Sequence, residues 1–133
     1  MTYLLDTDTL VFYLRGRDDV RQKLLSVPFG ELCTSSVCIG ELYYGAAKSQ
    51  RRAERRAEVD RLRGLLTSLP LSNAETERFG ALKASLENRG ERLADADLMI
   101  AATALEHNLV VVTGNLRHYG RVGGLQIENW IER

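Results

Sequence analysis

Leu109-Val110-Val111-Val112-Thr113 is the stretch from which the rest of the chain can be read. A strand with one wet face alternates apolar and polar residues, whereas a parallel strand buried on both faces is apolar throughout and rich in β-branched side chains. This run is of the second kind. Immediately before it, Asp95 to His107 carries a helical spacing of apolar residues, and outward from there short strands and helices keep alternating. Thr2 to Leu5 and Glu31 to Thr34 read as strands, Ser68 to Leu71 as a weaker one, and Leu125 to Glu128 as a candidate edge. Helical patterns run from Thr9 to Arg15, Val20 to Ser26, Ser36 to Lys48, Arg52 to Leu66 and Ala74 to Arg89. The alternation predicts an α/β fold: a three-layer sandwich with a central, mainly parallel sheet of four to five strands flanked by helices.

No repeat or low-complexity tract divides the chain, and its two prolines, Pro28 and Pro70, fall between periodic segments. With 133 residues and 44% hydrophobic content, a single domain over residues 1–133 is expected. Eighteen Lys plus Arg balance eighteen Asp plus Glu, so no overall field points to nucleic acid. Function has to come from local charge. Cys33 and Cys38 fit neither a disulfide framework nor a four-ligand zinc site, since only His107 and His118 are available to join them. They read as reduced, buried thiols. The N-terminus lacks a charged segment leading into a long apolar run, and no window approaches the ~20 apolar residues of a membrane span. The expectation is a soluble, cytoplasmic protein with no membrane association.

In an open parallel sheet, ligands bind beyond the carboxyl ends of the strands. Asp6, Thr34 with Ser35, and Thr113 with Asn115 occupy those places. Asp6 directly follows Tyr-Leu-Leu, which favours chemistry there and leaves Asp8 to cap the next helix. Glu41 falls among Val37, Cys38, Leu42, Tyr44 and Gly45 on a helical wheel. Two readings stay open for it: a carboxylate interrupting an apolar surface, which needs a cationic or metal partner, or an exposed Glu at the helix margin. Asp95 and Asp97 both suit the start of a helix. Two residues apart, they point about 200° from each other, so only one can aim at a small site. Asp97 shares its face with Ile100, Ala101 and Ala104, so Asp97 is assigned to the site and Asp95 to capping.

Three converging carboxylates repel one another unless a divalent cation offsets them. An all-oxygen set points to Mg2+ or Mn2+, and to hydrolysis of a phosphodiester by an activated water.

These residues resemble the VapC-type toxin ribonucleases of the PIN-domain family over nearly the whole chain. The likeness lies in Leu-Leu-Asp-Thr-Asp around Asp6, Ile-Gly-Glu-Leu-Tyr-Tyr-Gly around Glu41, and Ala-Asp-Leu-Met-Ile-Ala-Ala-Thr-Ala-Leu around Asp97. Val-Val-Val-Thr-Gly-Asn and Gly-Leu-Gln-Ile-Glu-Asn-Trp look like the family's last core strand and closing segment. The resemblance implies a PIN-like fold, endoribonuclease activity on RNA with Mg2+ or Mn2+, homodimerisation, and inhibition within a toxin–antitoxin hetero-oligomer by a cognate VapB-type antitoxin. By position it makes Asp6, Glu41 and Asp97 the catalytic and metal-binding acids, Thr113 a support behind them, and Asn115 a polar residue of the site. Many relatives carry an acid shortly after that Asn. This chain has His118, a poor substitute for a hard anionic ligand.

Two rival functions are weighed beside it. A haloacid-dehalogenase-type phosphatase would use Asp6 and Asp8, but the fifth motif position is Leu10 and Lys83 is the only downstream lysine. A catalytically silent PIN-like binding module would not need an intact acidic trio. Elsewhere, the Arg-rich run from Arg51 to Arg63 is interleaved with Glu54 and Glu58, which reads as a solvated or antitoxin-facing helix ahead of an RNA-binding one. Tyr43 and Tyr44 read as packing or dimer contacts ahead of base-stacking residues, and Trp130 as a packing anchor.

Overall fold

The computed structural model describes residues 2–131. Strand β1 (Tyr3–Leu5) leads into α1 (Thr7–Leu14) and α2 (Asp18–Leu25). A single 3-10 turn, Phe29–Glu31, precedes β2 (Leu32–Ser35), followed by α3 (Ser36–Lys48) and α4 (Arg52–Leu65). Then come β3 (Thr67–Leu69), α5 (Asn73–Asn88), α6 (Asp95–His107), β4 (Val110–Val112), α7 (Leu116–Tyr119) and β5 (Gln126–Glu128). The five strands form one sheet in the order β3-β2-β1-β4-β5, and every neighbouring pair is parallel. Adjacent residues of a strand point to opposite faces. Leu4 with Leu5, and Val110 with Val111 and Val112, are all buried, so helices cover both faces as the apolar run predicts.

The topology creates the site. From β1 the chain moves to β2 on one side, and from β4 to β5 on the other, so the order reverses between two hydrogen-bonded neighbours. A crevice opens beyond the carboxyl ends of strands at such a switch point. Leu5 lies opposite Val112, and Asp6 N–H still donates to the Val112 carbonyl at 3.1 Å, which places Asp6 level with Thr113.

Local signals explain most element ends. Ser35 caps α3 by accepting the Cys38 N–H at 3.1 Å, and Ser72 with Glu75 forms a capping box on α5. Asn108 closes α6 in the left-handed region (φ 55°), which Asn tolerates better than most residues. Strand β3 begins at Thr67 and stops at Leu69, shorter at its end than the expected Ser68 to Leu71. Pro70 has no N–H to continue the ladder. The 3-10 turn and the four-residue α7 were not expected, because one turn of helix is too short to show a period. Cys33 and Cys38 are buried free thiols, and buried Trp130 packs against Tyr3 of the central strand, ring centroids 5.3 Å apart. No helix of the described residues is long and apolar enough to cross a membrane.

Candidate active site

Asp6 leaves β1 at the switch point and is the N-cap of α1, with its Oδ1 accepting the Thr9 N–H at 2.9 Å. This corrects the expected capping role of Asp8. The chain turns into helix two residues sooner than the apolar spacing suggests, so the cap falls on Asp6 itself. Asp6 is only 4% exposed. Burial pushes its carboxyl up to about 6, against downward pulls from hydrogen bonds with Thr113 and Thr9; Asp8 adds a smaller upward push.

Asp8, set free from capping, is exposed and lines the same small cleft as Asp6, Glu41 and Asp97. Thr7, Ile100, Asn115 and Tyr119 complete its walls, around a volume of about 90 Å³. Glu41 reaches the cleft from the middle of α3 and is half-buried. Its partner is the Thr7 hydroxyl, which donates to Oε1 at 2.5 Å. Asp97 enters from the first turn of α6, with burial raising its pKa while the Tyr119 hydroxyl and His118 act in the other direction. Tyr119 donates to Asp97 Oδ1 at a long 3.4 Å. Its own hydroxyl is pushed far above the usual range, by burial first and then by Asp97 and Asp6, so it stays a neutral donor.

Thr113 stands behind the cleft, fully buried, and accepts the Asn115 N–H at 2.9 Å while its hydroxyl supports Asp6. Asn115 lines the cleft, and its Nδ2 contacts His118 Nδ1 at 2.7 Å. His118 is exposed and lies outside the cleft lining, whereas Asp8 is part of it. Asp95 is a second correction. It is the first residue of α6, whose N-cap is Ala94 with no side-chain bond, and its carboxylate pairs with Lys83 Nζ at 3.0 Å.

Reading the residues alone missed Thr7, Asp8 as a cleft residue, and Tyr119. Signals for them existed. Thr7 sits between two acids in a strand-end turn, and Tyr119 follows Asn115 by about one helical turn with a polar tip that needs a partner when buried.

Among the described residues, no three His, Cys, Asp or Glu side chains stand close enough together to encircle one ion. The acids line the cleft without meeting at a point. The donor chemistry nevertheless suits a hard divalent cation: four carboxylates, an amide and no thiolate, since burial pushes the Cys33 thiol up to about 11 and raises Cys38 as well.

The Arg-rich helix behaves as a solvated surface. Arg51 with Glu54 (3.7 Å), Arg55 with Glu58 (3.0 Å) and Arg56 with Asp60 (4.0 Å) pair within it. Tyr43 donates to Asp60 at 2.6 Å and Tyr44 is 65% exposed; neither lines the acidic cleft.

A five-stranded parallel sheet with carboxylates gathered at its switch point defines a PIN-type nuclease fold, and the family model described as "PIN domain" matches residues 3–125. Full-length likenesses narrow the class. "Ribonuclease VapC2" of Haemophilus influenzae is 33% identical over 131 residues, covering 98% of this chain and 99% of the relative. "tRNA(fMet)-specific endonuclease VapC" of Shigella flexneri is 32% identical, with 98% of each chain covered. A DNA-bound VapBC structure from Salmonella typhimurium superposes with a TM-score of 0.92 at 32% identity, over 98% of this chain and 99% of that one. This chain therefore belongs to the VapC-type branch of the PIN-domain family.

Proposed function

We propose that this protein is the toxin of a type II toxin–antitoxin pair, an endoribonuclease that hydrolyses RNA phosphodiester bonds with Mg2+ or Mn2+. The observation that carries the reading is the cleft at the β1/β4 switch point, which Asp6, Asp8, Glu41 and Asp97 all line. Four carboxylates share this half-buried space, and burial raises the pKa of two of them, Asp6 and Asp97, with Asp8 adding a smaller push to each. Such a site favours a cation.

Asp6, Glu41 and Asp97 would hold the ion, with Asp8 at the exposed rim and Asn115 beside it. When bound, a divalent cation lowers the pKa of water and offsets negative charge at phosphorus. The rest is the work of the chain. The Thr9 N–H and Thr113 hydroxyl fix the Asp6 carboxylate in the turn, Thr7 orients Glu41, and Tyr119 orients Asp97. Donors that hold ligands in place in this way are worth about 10–100-fold in metal affinity or activity. Asn115 offers an amide to the phosphodiester, steadied by His118.

The Salmonella neighbour is a VapBC complex, which supports a cognate VapB-type antitoxin as partner here; that the toxin is a homodimer inside the hetero-oligomer is our inference from the family resemblance. We place the whole chain, residues 1–133, in one domain acting in the cytoplasm, where its RNA substrate is. The phosphatase alternative has no support from a family match that spans the acids. A silent binding module is separated by assay. Purified protein should cleave labelled transfer RNA with Mg2+ or Mn2+, lose that activity on chelation, and lose it in Asp97→Asn. Cleavage indifferent to both treatments overturns the mechanism.

A further inference from the structure

The acidic cleft is too small to hold a nucleotide, and what lies on either side of it bears on how RNA is held. A hollow of about 330 Å³ between α1, α3 and α4 shares Glu41 with the cleft. A second, of about 540 Å³, shares Asp8 and Asn115 with it. The three depressions are therefore neighbours around the exposed side of α1, and Val11 and Arg15 line both outer hollows. Each outer hollow falls in the size range of small-ligand pockets, about 300–1,000 Å³.

Charge singles out Arg15. A phosphodiester strand approaching four carboxylates is repelled at every phosphate, and an ion in the cleft offsets only the one being cut. The phosphate beside it needs a cation of its own. Arg55, on the wall of the first hollow, is held by Glu58 through two contacts of 3.0 and 3.2 Å. Arg15 ends α1, is exposed, and its guanidinium has no ion pair or side-chain hydrogen bond among the described residues. A free guanidinium offers a planar fork matched to two phosphate oxygens.

Resting on the ribonuclease reading above, we propose that Arg15 is a phosphate-positioning residue: it grips the RNA backbone next to the scissile phosphate, between hollows that receive the flanking nucleotides. The implied substrate is a single-stranded segment with its bases splayed apart, the form in which proteins read RNA bases. The apolar part of the first hollow, Val11, Leu14, Leu42 and Val59, suits the face of an unstacked base.

The test uses fluorescein-labelled transfer RNA, with binding measured in an Asp97→Asn background and cleavage in the otherwise native chain. Arg15→Ala should weaken binding about tenfold and flatten the slope of log affinity against log salt by about 0.7, the value for one phosphate contact on a single strand. Arg15→Lys should keep the slope and recover part of the affinity. In cleavage, Arg15→Ala should raise KM with kcat nearly unchanged, and Mn2+ affinity by calorimetry should not move. Unchanged RNA affinity and salt slope overturn the proposal, as does a loss confined to antitoxin capture, which would assign Arg15 to the protein partner. If the native chain neither binds nor cleaves RNA under any metal condition, the ribonuclease reading itself falls and takes Arg15 with it. Native cleavage with an indifferent Arg15→Ala removes only Arg15.

Discussion

Asp6 carries two duties that conflict. Its Oδ1 caps α1 through the Thr9 N–H, a task for any short polar side chain, while its charge is held in a place where burial lifts the carboxyl to about 6. A group whose folded pKa lies above its unfolded value of 3.8 costs stability as pH rises from about 3.8 through 6, because folding must keep a proton or bury a charge. A shift of that size corresponds to roughly 3 kcal/mol at neutral pH. Asn caps as well as Asp and carries no charge. In chelator at pH 7, Asp6→Asn is therefore expected to unfold at higher denaturant than the native chain, with the difference vanishing below about pH 4, while RNA cleavage is lost. A destabilised Asp6→Asn in chelator would mean that the carboxylate is not strained by burial. The neighbouring contact makes a separate prediction. Thr7→Val removes the donor to Glu41 Oε1 and is expected to weaken Mn2+ binding by about 10–100-fold with little change in fold, read by calorimetry and circular dichroism.

Short elements decide how well these side chains are aimed, and α7 is the one most easily broken. Gly120 closes it, donating to the Leu116 carbonyl at 2.8 Å, and a Cβ added there would lie 2.9 Å from that same oxygen. Gly120→Ala must move backbone, and Tyr119 with it. The expected results are a stability loss of about 1–3 kcal/mol by urea unfolding and a fall in kcat larger than any rise in KM. On α5, burial of Glu75 is made tolerable by Ser72 and by His107, whose Nε2 lies 2.7 Å from Oε1. Those contacts hold its carboxyl down to about 2 from an ordinary 4.5. A depressed folded pKa contributes stability above the unfolded value, and that contribution is lost as pH falls from about 4.5 towards 2. Glu75→Gln should melt earlier than the native chain at pH 7, and the gap should close across that window. Such elements also show what could be read in advance. The boundaries of α3 and α6 were legible because Ser35 and a long apolar period mark them, and the parallel sheet was legible in Val110, Val111 and Val112. Asp6 and Asp97 were found as candidates because strand ends and helix faces follow from periodicity, whereas the helix face left two readings open for Glu41 and the family resemblance gave it most of its weight. Asp8 and Tyr119 were not: one depends on which of two acids caps α1, the other on a single helical turn, and neither is written in a period.

At the scale of the whole molecule, the cleft joins parts far apart in the chain: β1 with α1, α3, α6 and the segment after β4. Packing and a few hydrogen bonds, such as Asp6 N–H to the Val112 carbonyl, Thr7 to Glu41 and Tyr119 to Asp97, join these parts while the acids oppose them. A cation that binds the folded cleft and not the unfolded chain stabilises all of them at once, by about 2.7 kcal/mol when its concentration is a hundredfold above Kd. For a domain of this length that corresponds to a rise in Tm on the order of 10 °C. Saturating Mn2+ should produce such a rise in the native chain and much less in Asp97→Asn, whose cleft lacks one carboxylate. Hydrogen exchange should locate the gain. Protection should increase at the N-terminal turns of α1 and α6 and in α7, which meet at the cleft, while α4, paired through its own surface ions, should exchange as before. A Tm that rises equally in Asp97→Asn, or protection gained evenly along the chain, would show the ion acting somewhere other than this cleft.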